Sequence, residues 1–180
     1  MNVEFVVNAE HRGSVDQLLA GSPTRVRVYA LNIHDVQLVK TSLKLRLIQL
    51  LKMECEVTVA FGESLWNRET GKPKDENSAQ LIKFLMELQT NNARVWYVPN
   101  PLLHAKVLYI EEPAEDGSES IRALVTSANF TERALCGANF ELGVVFHDLD
   151  LYSHLKERVE KFTDGVLGAG RSLEDVVQTV

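Results

Sequence analysis

His104-Ala105-Lys106-Val107-Leu108-Tyr109-Ile110-Glu111, then an acidic turn with Pro113 and Gly117, then Ile121-Arg122-Ala123-Leu124-Val125-Thr126, form the stretch on which the fold turns. Ala105 to Glu111 and Ile121 to Thr126 both read as strands, rich in β-branched and aromatic residues and separated by turn formers. Together they predict a hairpin. Phe140 to His147 reads as one more strand, and Leu151 to Phe162 as a helix. Beyond Gly165, with Gly168 and Gly170, a loop is expected to lead into a short C-terminal helix.

Upstream of the hairpin, strands alternate with helices. Arg25 to Leu31 alternates polar and apolar residues and reads as a strand. Asp35 can cap a following helix, in which Val36, Val39, Leu43, Leu47 and Leu50 form an apolar stripe. Lys40, Lys44, Arg46 and Lys52 lie off that stripe as a solvated face. Glu56 to Phe61 is the next strand; it ends at Gly62, before a polar loop through Asn67, Gly71, Pro73 and Asp75. A second amphipathic helix runs from about Ser78 to Gln89, with Leu81, Phe84, Leu85 and Leu88 inward. Arg94 to Val98 is a strand, stopped by Pro99 and Pro101, which lack a ladder donor. Asp16 to Leu19 reads as a short helix. Strand–helix–strand units feeding a hairpin imply an α/β fold, a mixed β-sheet flanked by helices.

The 180 residues contain no internal repeat, low-complexity tract or linker, so residues 1–180 are expected to form one domain. The hydrophobic share of 45% and charged share of 24% are those of a folded globular chain. Two cysteines, Cys55 and Cys136, exclude a disulfide framework and a structural zinc site, and read as reduced thiols. No apolar run approaches the roughly eighteen residues of a membrane span, and Met1 to Phe5 lacks the features of a signal peptide. A cytoplasmic protein is the expectation. The net charge of −6 argues against a chain that coats nucleic acid, while leaving room for a local basic cleft.

The chemistry concentrates in three short segments: His104-Ala105-Lys106, Thr126-Ser127-Ala128-Asn129-Phe130-Thr131 and Asn139-Phe140-Glu141-Leu142-Gly143. Residues two apart on a strand share a face, so His104 and Lys106 project together. If the two hairpin strands pair, the turn after Thr126 returns Ser127 and Asn129 to the same end of the sheet. An imidazole, an ammonium, a hydroxyl and a carboxamide gathered there suit a phosphodiester. The nitrogen attacks phosphorus, and the cation and amide hold the equatorial oxygens.

At these residues the chain resembles the phospholipase D superfamily, whose HKD motif runs His-x-Lys, Asp, Gly-Ser-x-Asn. His104 and Lys106 match its first part, and Ser127 and Asn129 its last. The trailing Phe130 to Leu135 and the Asn139 to Gly143 segment are similar as well, and the resemblance spans about residues 20–165. Thr126 stands where the family has Gly. Counting from either side puts Glu111 or Glu119 at the Asp position, and the hairpin is longer than the family's. The resemblance implies an α/β/α sandwich and a two-step reaction without metal or other cofactor. His104 would form a phosphohistidine, Lys106 and Asn129 would hold the non-bridging oxygens, and Glu141 would fix the tautomer of His104. The chain has one His-x-Lys, because His11, His34, His147 and His154 lack the lysine. The resemblance therefore implies either a homodimer with a composite site or a second half in a longer chain.

Arg122 and Arg133 flank the motif and are candidates, with Thr126, for a substrate rim. Trp96 and Tyr97 read as core or rim residues, and Arg68, Lys72 and Lys74 as a solvated loop. His34 beside Asp35 and His147 beside Asp148 lack a third ligand, so no metal is expected. The leading function is a phosphodiesterase acting on DNA or RNA. The alternatives are a phospholipid-acting enzyme, which an apolar exposed rim would favour, and a catalytically silent binding or dimerisation module, which a hairpin blocking the site would favour.

Overall fold

The computed structural model describes residues 2–67, 69–99, 103, 106–114, 116–149 and 153–178. One mixed sheet organises them. Its strands in chain order are β1 (Val3–Val7), β2 (Arg25–Ala30), β3 (Glu56–Phe61), β4 (Arg94–Tyr97), β5 (Lys106–Pro113), β6 (Glu119–Thr126), β7 (Leu142–Phe146) and β8 (Arg171–Ser172). In space they run β1-β7-β6-β5-β2-β3-β4-β8. The β2–β3 and β3–β4 pairs are parallel and the others antiparallel. The mixed sheet flanked by helices matches the predicted class.

The helices are α1 (Glu10–Leu18), α2 (Leu43–Lys52), α3 (Glu76–Thr90), α4 (Glu132–Leu135), α5 (Ser153–Ala169) and α6 (Leu173–Gln178). One face of the sheet, with Val26, Val28, Val57, Val59, Leu108 and Leu124, packs against residues of α1, α2, α3 and α6. The other, with Tyr29, Val107, Tyr109 and Ala123, packs against Val159, Phe162 and Val166 of α5. Strand alternation sends successive side chains to the two cores. Burial on both faces explains the continuous apolar run Val107–Ile110 in β5.

Several boundaries move relative to the sequence reading. The second helix starts at Leu43, not after Asp35. Its N-cap is Ser42, whose Oγ accepts the Leu45 N–H at 3.3 Å. Asp35 still serves it from a distance, accepting the Lys44 N–H at 2.9 Å. Val36 and Val39 lie before the helix, where Leu43 donates to the Val36 carbonyl at 2.8 Å, and Val39 is exposed. Asp75 caps α3, which begins two residues earlier than expected. Gly165 and Gly168 do not break α5. Each glycine costs about 1 kcal/mol in a helix interior, but burial of Val159, Thr163 and Val166 holds the helix through them. The first helix spans Glu10–Leu18, longer than predicted. Strand β1 was not anticipated: its partner β7 lies more than a hundred residues away.

The hairpin forms with Lys106 opposite Thr126 and Pro113 opposite Glu119. Its turn is therefore seven residue steps, about 24 Å, from Lys106. Both cysteines are free, and burial pushes the Cys55 thiol up to about 11.

Candidate active site

The starts of β5 and β7 and the ends of β1, β2, β3, β4 and β6 meet at one edge of the sheet, and this edge gathers the polar motif. Lys106 begins β5, with Leu108 and Ile110 continuing its face toward the larger core. The side chain is buried, with 5% of its surface exposed. Among the described residues its ammonium has no hydrogen-bond or ion-pair partner. Burial pushes its pKa below the ordinary lysine value, and the negative charge of Glu141 opposes that shift. An ammonium held this way is short of an anion.

Thr126 faces Lys106 across the hairpin and Gly143 across β6–β7. Its hydroxyl accepts the Ala128 N–H at 2.9 Å and lies 2.8 Å from Nε2 of His11 and 3.2 Å from the Leu142 carbonyl. His11 is fully buried on α1, and its Nδ1 is 2.8 Å from the Asn8 carbonyl. A carbonyl only accepts, so Nδ1 carries the proton there, and in the neutral ring Nε2 accepts from Thr126. A Cβ on Gly143 would come within 2.8 Å of Nε2. Thr126 thus places here a side chain that His11 receives, and Gly143 supplies the space.

The turn after Thr126 is tied down at both ends. Ser127 donates its N–H to the Leu142 carbonyl at 3.0 Å, and its Oγ accepts the Leu142 N–H at 3.1 Å. The Ser127 hydroxyl donates to Glu141 at 2.5 Å, and the other carboxylate oxygen of Glu141 accepts from Asn139 at 3.3 Å. Asn129 Oδ1 accepts the Asn32 N–H at 3.1 Å, just past the end of β2. That bond fixes the amide, and its NH2 group has no partner among the described residues. Thr131 caps the short α4.

The sequence-derived candidates divide as follows. Lys106, Thr126, Ser127, Asn129 and Glu141 come together at this edge. His104 lies outside the described residues, so its position and its pairing with Glu141 do too. Arg133 reaches the group through Asn139, to which its Nε donates at 3.2 Å. Arg122 does not join it. Arg122 pairs with Ile110 well down the hairpin, binds Glu112 at 2.9 Å and donates to the Leu18 carbonyl at 3.1 Å. Of the two acids weighed for the motif Asp, Glu111 is buried and ion-paired with Arg25 at 2.6 Å, whereas Glu119 is exposed at the start of β6. Sequence reasoning gave no role to His11, Asn8 and Asn32. His11 is 115 residues from Thr126 and no local pattern links them.

Apolar side chains stand exposed beside the motif. Phe5 and Val7 on β1, Leu142 on β7 and Val125 on β6 occupy the α5 side of the sheet beyond the reach of α5, and Phe140 is fully exposed. Among the described residues no three acidic, histidine or cysteine side chains gather as a metal site, and no helix is long and apolar enough to cross a membrane.

A mixed sheet between helical layers, with lysine, Ser-x-Asn and a downstream glutamate at one strand edge, defines a phospholipase D-type phosphodiesterase fold. The chain belongs to that superfamily: residues 5–163 match the family described as cardiolipin synthase, PLD-like domain. Its structure is similar to Nuc, a phospholipase D family member from Salmonella typhimurium, at 17% identity and a TM-score of 0.67, covering 95% of this chain and 97% of that one. It is also similar to phosphatidylserine synthase from Haemophilus influenzae (15%, TM-score 0.68), covering 98% of this chain but 44% of that chain. NucT from Helicobacter pylori aligns at 13% identity and a TM-score of 0.55, over 96% of this chain and 100% of that one. No curated protein sequence matches the chain.

Proposed function

We propose that this protein hydrolyses phosphodiester bonds in nucleic acid, as a homodimer whose two His104-x-Lys106 motifs form one site. The observation that carries the reading is the buried Lys106 ammonium, without a partner among the described residues, beside a rigid turn that presents the free amide of Asn129. A phosphate oxygen supplies the missing acceptor at both. In the first step a His104 nitrogen attacks phosphorus and the P–O bond to the leaving group breaks, while the partner copy's histidine gives that oxygen a proton. In the second step the same histidine takes a proton from water, whose oxygen displaces His104 from phosphorus. Lys106 and Asn129 hold the non-bridging oxygens in both steps. The residues need no metal for this.

Two features favour an enzyme over a silent module. The 114–118 turn lies at the far end of the hairpin, about 24 Å along the strands from Lys106, and so does not cover the motif. The similarity to Nuc, a phospholipase D family member, over 95% of this chain and 97% of that one also supports an enzyme. The exposed Phe5, Val7, Val125 and Leu142 give a second copy an apolar surface adjoining the motif, as an isologous dimer requires. The same side chains, with Phe140, also support a second reading, in which an apolar rim receives a phospholipid.

Cleavage of labelled single- and double-stranded DNA and RNA in EDTA, beside release of headgroup from phospholipid vesicles, tests the choice. Nucleic-acid cleavage that survives chelation and is lost in His104→Ala is the expected result. Headgroup release without strand cleavage would move the assignment to lipid, and neither activity from a confirmed dimer would move it to a binding module. Phe5→Asp with Leu142→Asp should lower the mass seen by light scattering and the activity together.

A further inference from the structure

A cavity of about 460 Å³ opens at the same edge of the sheet, on the opposite side of β2 from the hairpin, and no motif residue lines it. Ala30 pairs with Phe61 and Phe61 with Tyr97. The β2–β5 register, with Tyr29 opposite Val107, puts Lys106 in the same row. Tyr97 and Lys106 therefore lie three strand spacings apart, about 14 Å. Trp66 and Tyr97 form the aromatic wall, with ring centroids 6.4 Å apart and planes at 81°. Ser64, Asn67 and Thr70 add hydroxyls and an amide, and Glu69 and Arg171 bring opposite charges. Among the described residues neither the Glu69 carboxylate nor the Arg171 guanidinium has a partner, while the Glu69 N–H donates to Asn67 Oδ1 at 2.9 Å. An adjoining cavity of about 570 Å³ shares Ser64, Trp66, Asn67 and Glu69 and adds Lys74, so the opening continues as a groove.

We propose that this cavity binds an unpaired nucleobase of a single-stranded substrate, a few nucleotides from the phosphodiester held at Lys106. The inference rests on the nucleic-acid reading above and narrows it. A base offers a flat π face for the aromatic wall and mixed donors and acceptors for the polar rim. Asn67 Oδ1 accepts the Glu69 and Thr70 N–H groups, and an acyl chain would still bury the Ser64 hydroxyl, the Asn67 NH2 and the Glu69 and Arg171 charges against hydrocarbon, which costs unpaired polar groups. A free phosphate would use Arg171 but meet Glu69. The base must leave any helical stack to enter, so single strands are preferred.

The chain has two tryptophans, so a Trp96→Phe variant leaves Trp66 as the sole indole reporter. Titration of that variant with AMP should quench its emission saturably, and ribose 5-phosphate should not. Arg171→Gln, at an exposed position, should weaken AMP binding. Trp66→Leu should raise KM for single-stranded oligonucleotide cleavage about tenfold, while hydrolysis of bis(p-nitrophenyl) phosphate, which has no base, stays within a factor of two. Equal quenching by ribose 5-phosphate would make the cavity a phosphate site. Quenching by short-chain phosphatidylglycerol micelles but not by AMP would make it a lipid site, and no response to any of the three would end the proposal. AMP binding without oligonucleotide cleavage would leave the cavity assigned and remove the nuclease reading, so the two failures are separable.

Discussion

At the far end of the β5–β6 hairpin the charges are matched. Arg25 binds Glu111 at 2.6 Å and Glu56 at 3.1 Å, and Arg122 binds Glu112 at 2.9 Å. At the near end, a few residues along the same two strands, Lys106 is as buried as Glu111 and its ammonium has no partner among the described residues. Both ends take charge out of water, and among the described residues only one compensates for it. Matched pairs of this kind hold a register. An unmatched charge in a rigid frame costs stability and is retained where a ligand completes it.

The largest effect should come from removing the unmatched charge. Lys106→Met should lower phosphodiesterase turnover by about 10²-fold or more, since it deletes a preorganised cation at developing negative charge. Its melting temperature should stay level or rise, because a desolvated ammonium is gone. Activity within a few-fold of wild type would erase the contrast between the two ends.

At the matched end the expectation reverses. Glu111→Ala strips Arg25 of its shortest bond and should cost about 1–2 kcal/mol in urea denaturation, the partial exposure of Arg25 softening the loss. Turnover per folded molecule should not change. Thr126→Val tests the boundary between the two regimes. It leaves His11 Nε2 and the Ala128 N–H without their partner, for about 1 kcal/mol or more of stability, and loosens the turn bearing Asn129. Thr126→Ser, which keeps the hydroxyl, should restore most of both.

The smallest effect sharpens the comparison through pH. Burial lowers the Lys106 pKa, so kcat/KM should fall as pH rises through a value below that of an ordinary lysine. Lys106→Arg, which stays charged, should shift that alkaline limb upward. Between the folded pKa and the ordinary one, the unfolded chain binds more protons than the folded chain. Stability should therefore rise with pH in that window, and Lys106→Met should lack the rise.

The elements that the sequence displays well are those whose signal is local. The strands at 25–30, 56–61 and 94–97 and the helix at 76–90 carry their own alternation, stripe or cap, and all four lie within two residues of where the pattern puts them. The helix after Asp35 shows the limit. A capping carboxylate and an apolar spacing predict a start, but the turn closed by Leu38 N–H on the Thr41 carbonyl delays it to Leu43. Strand β1 and the two-residue β8 exist through distant partners, and no window of sequence contains those partners. For the site, Ser127, Asn129, Lys106 and Glu141 were legible because a motif compresses them into short spacings. His11 and Asn32 were not, and Arg122 was misplaced beside the motif because nearness in sequence does not fix position along a strand.

By itself the sequence determined the layered α/β class, the hairpin and the residue types proposed to meet a phosphate, because periodicity and short motifs are properties of contiguous chain. Only the tertiary structure decided that Lys106 is left without a partner among the described residues while Arg25 and Arg122 are matched, that the long hairpin points away from the site, and that Trp66 and Tyr97 wall a cavity in line with it. Those facts depend on strand order and register, which the burial of both sheet faces sets for the whole chain at once.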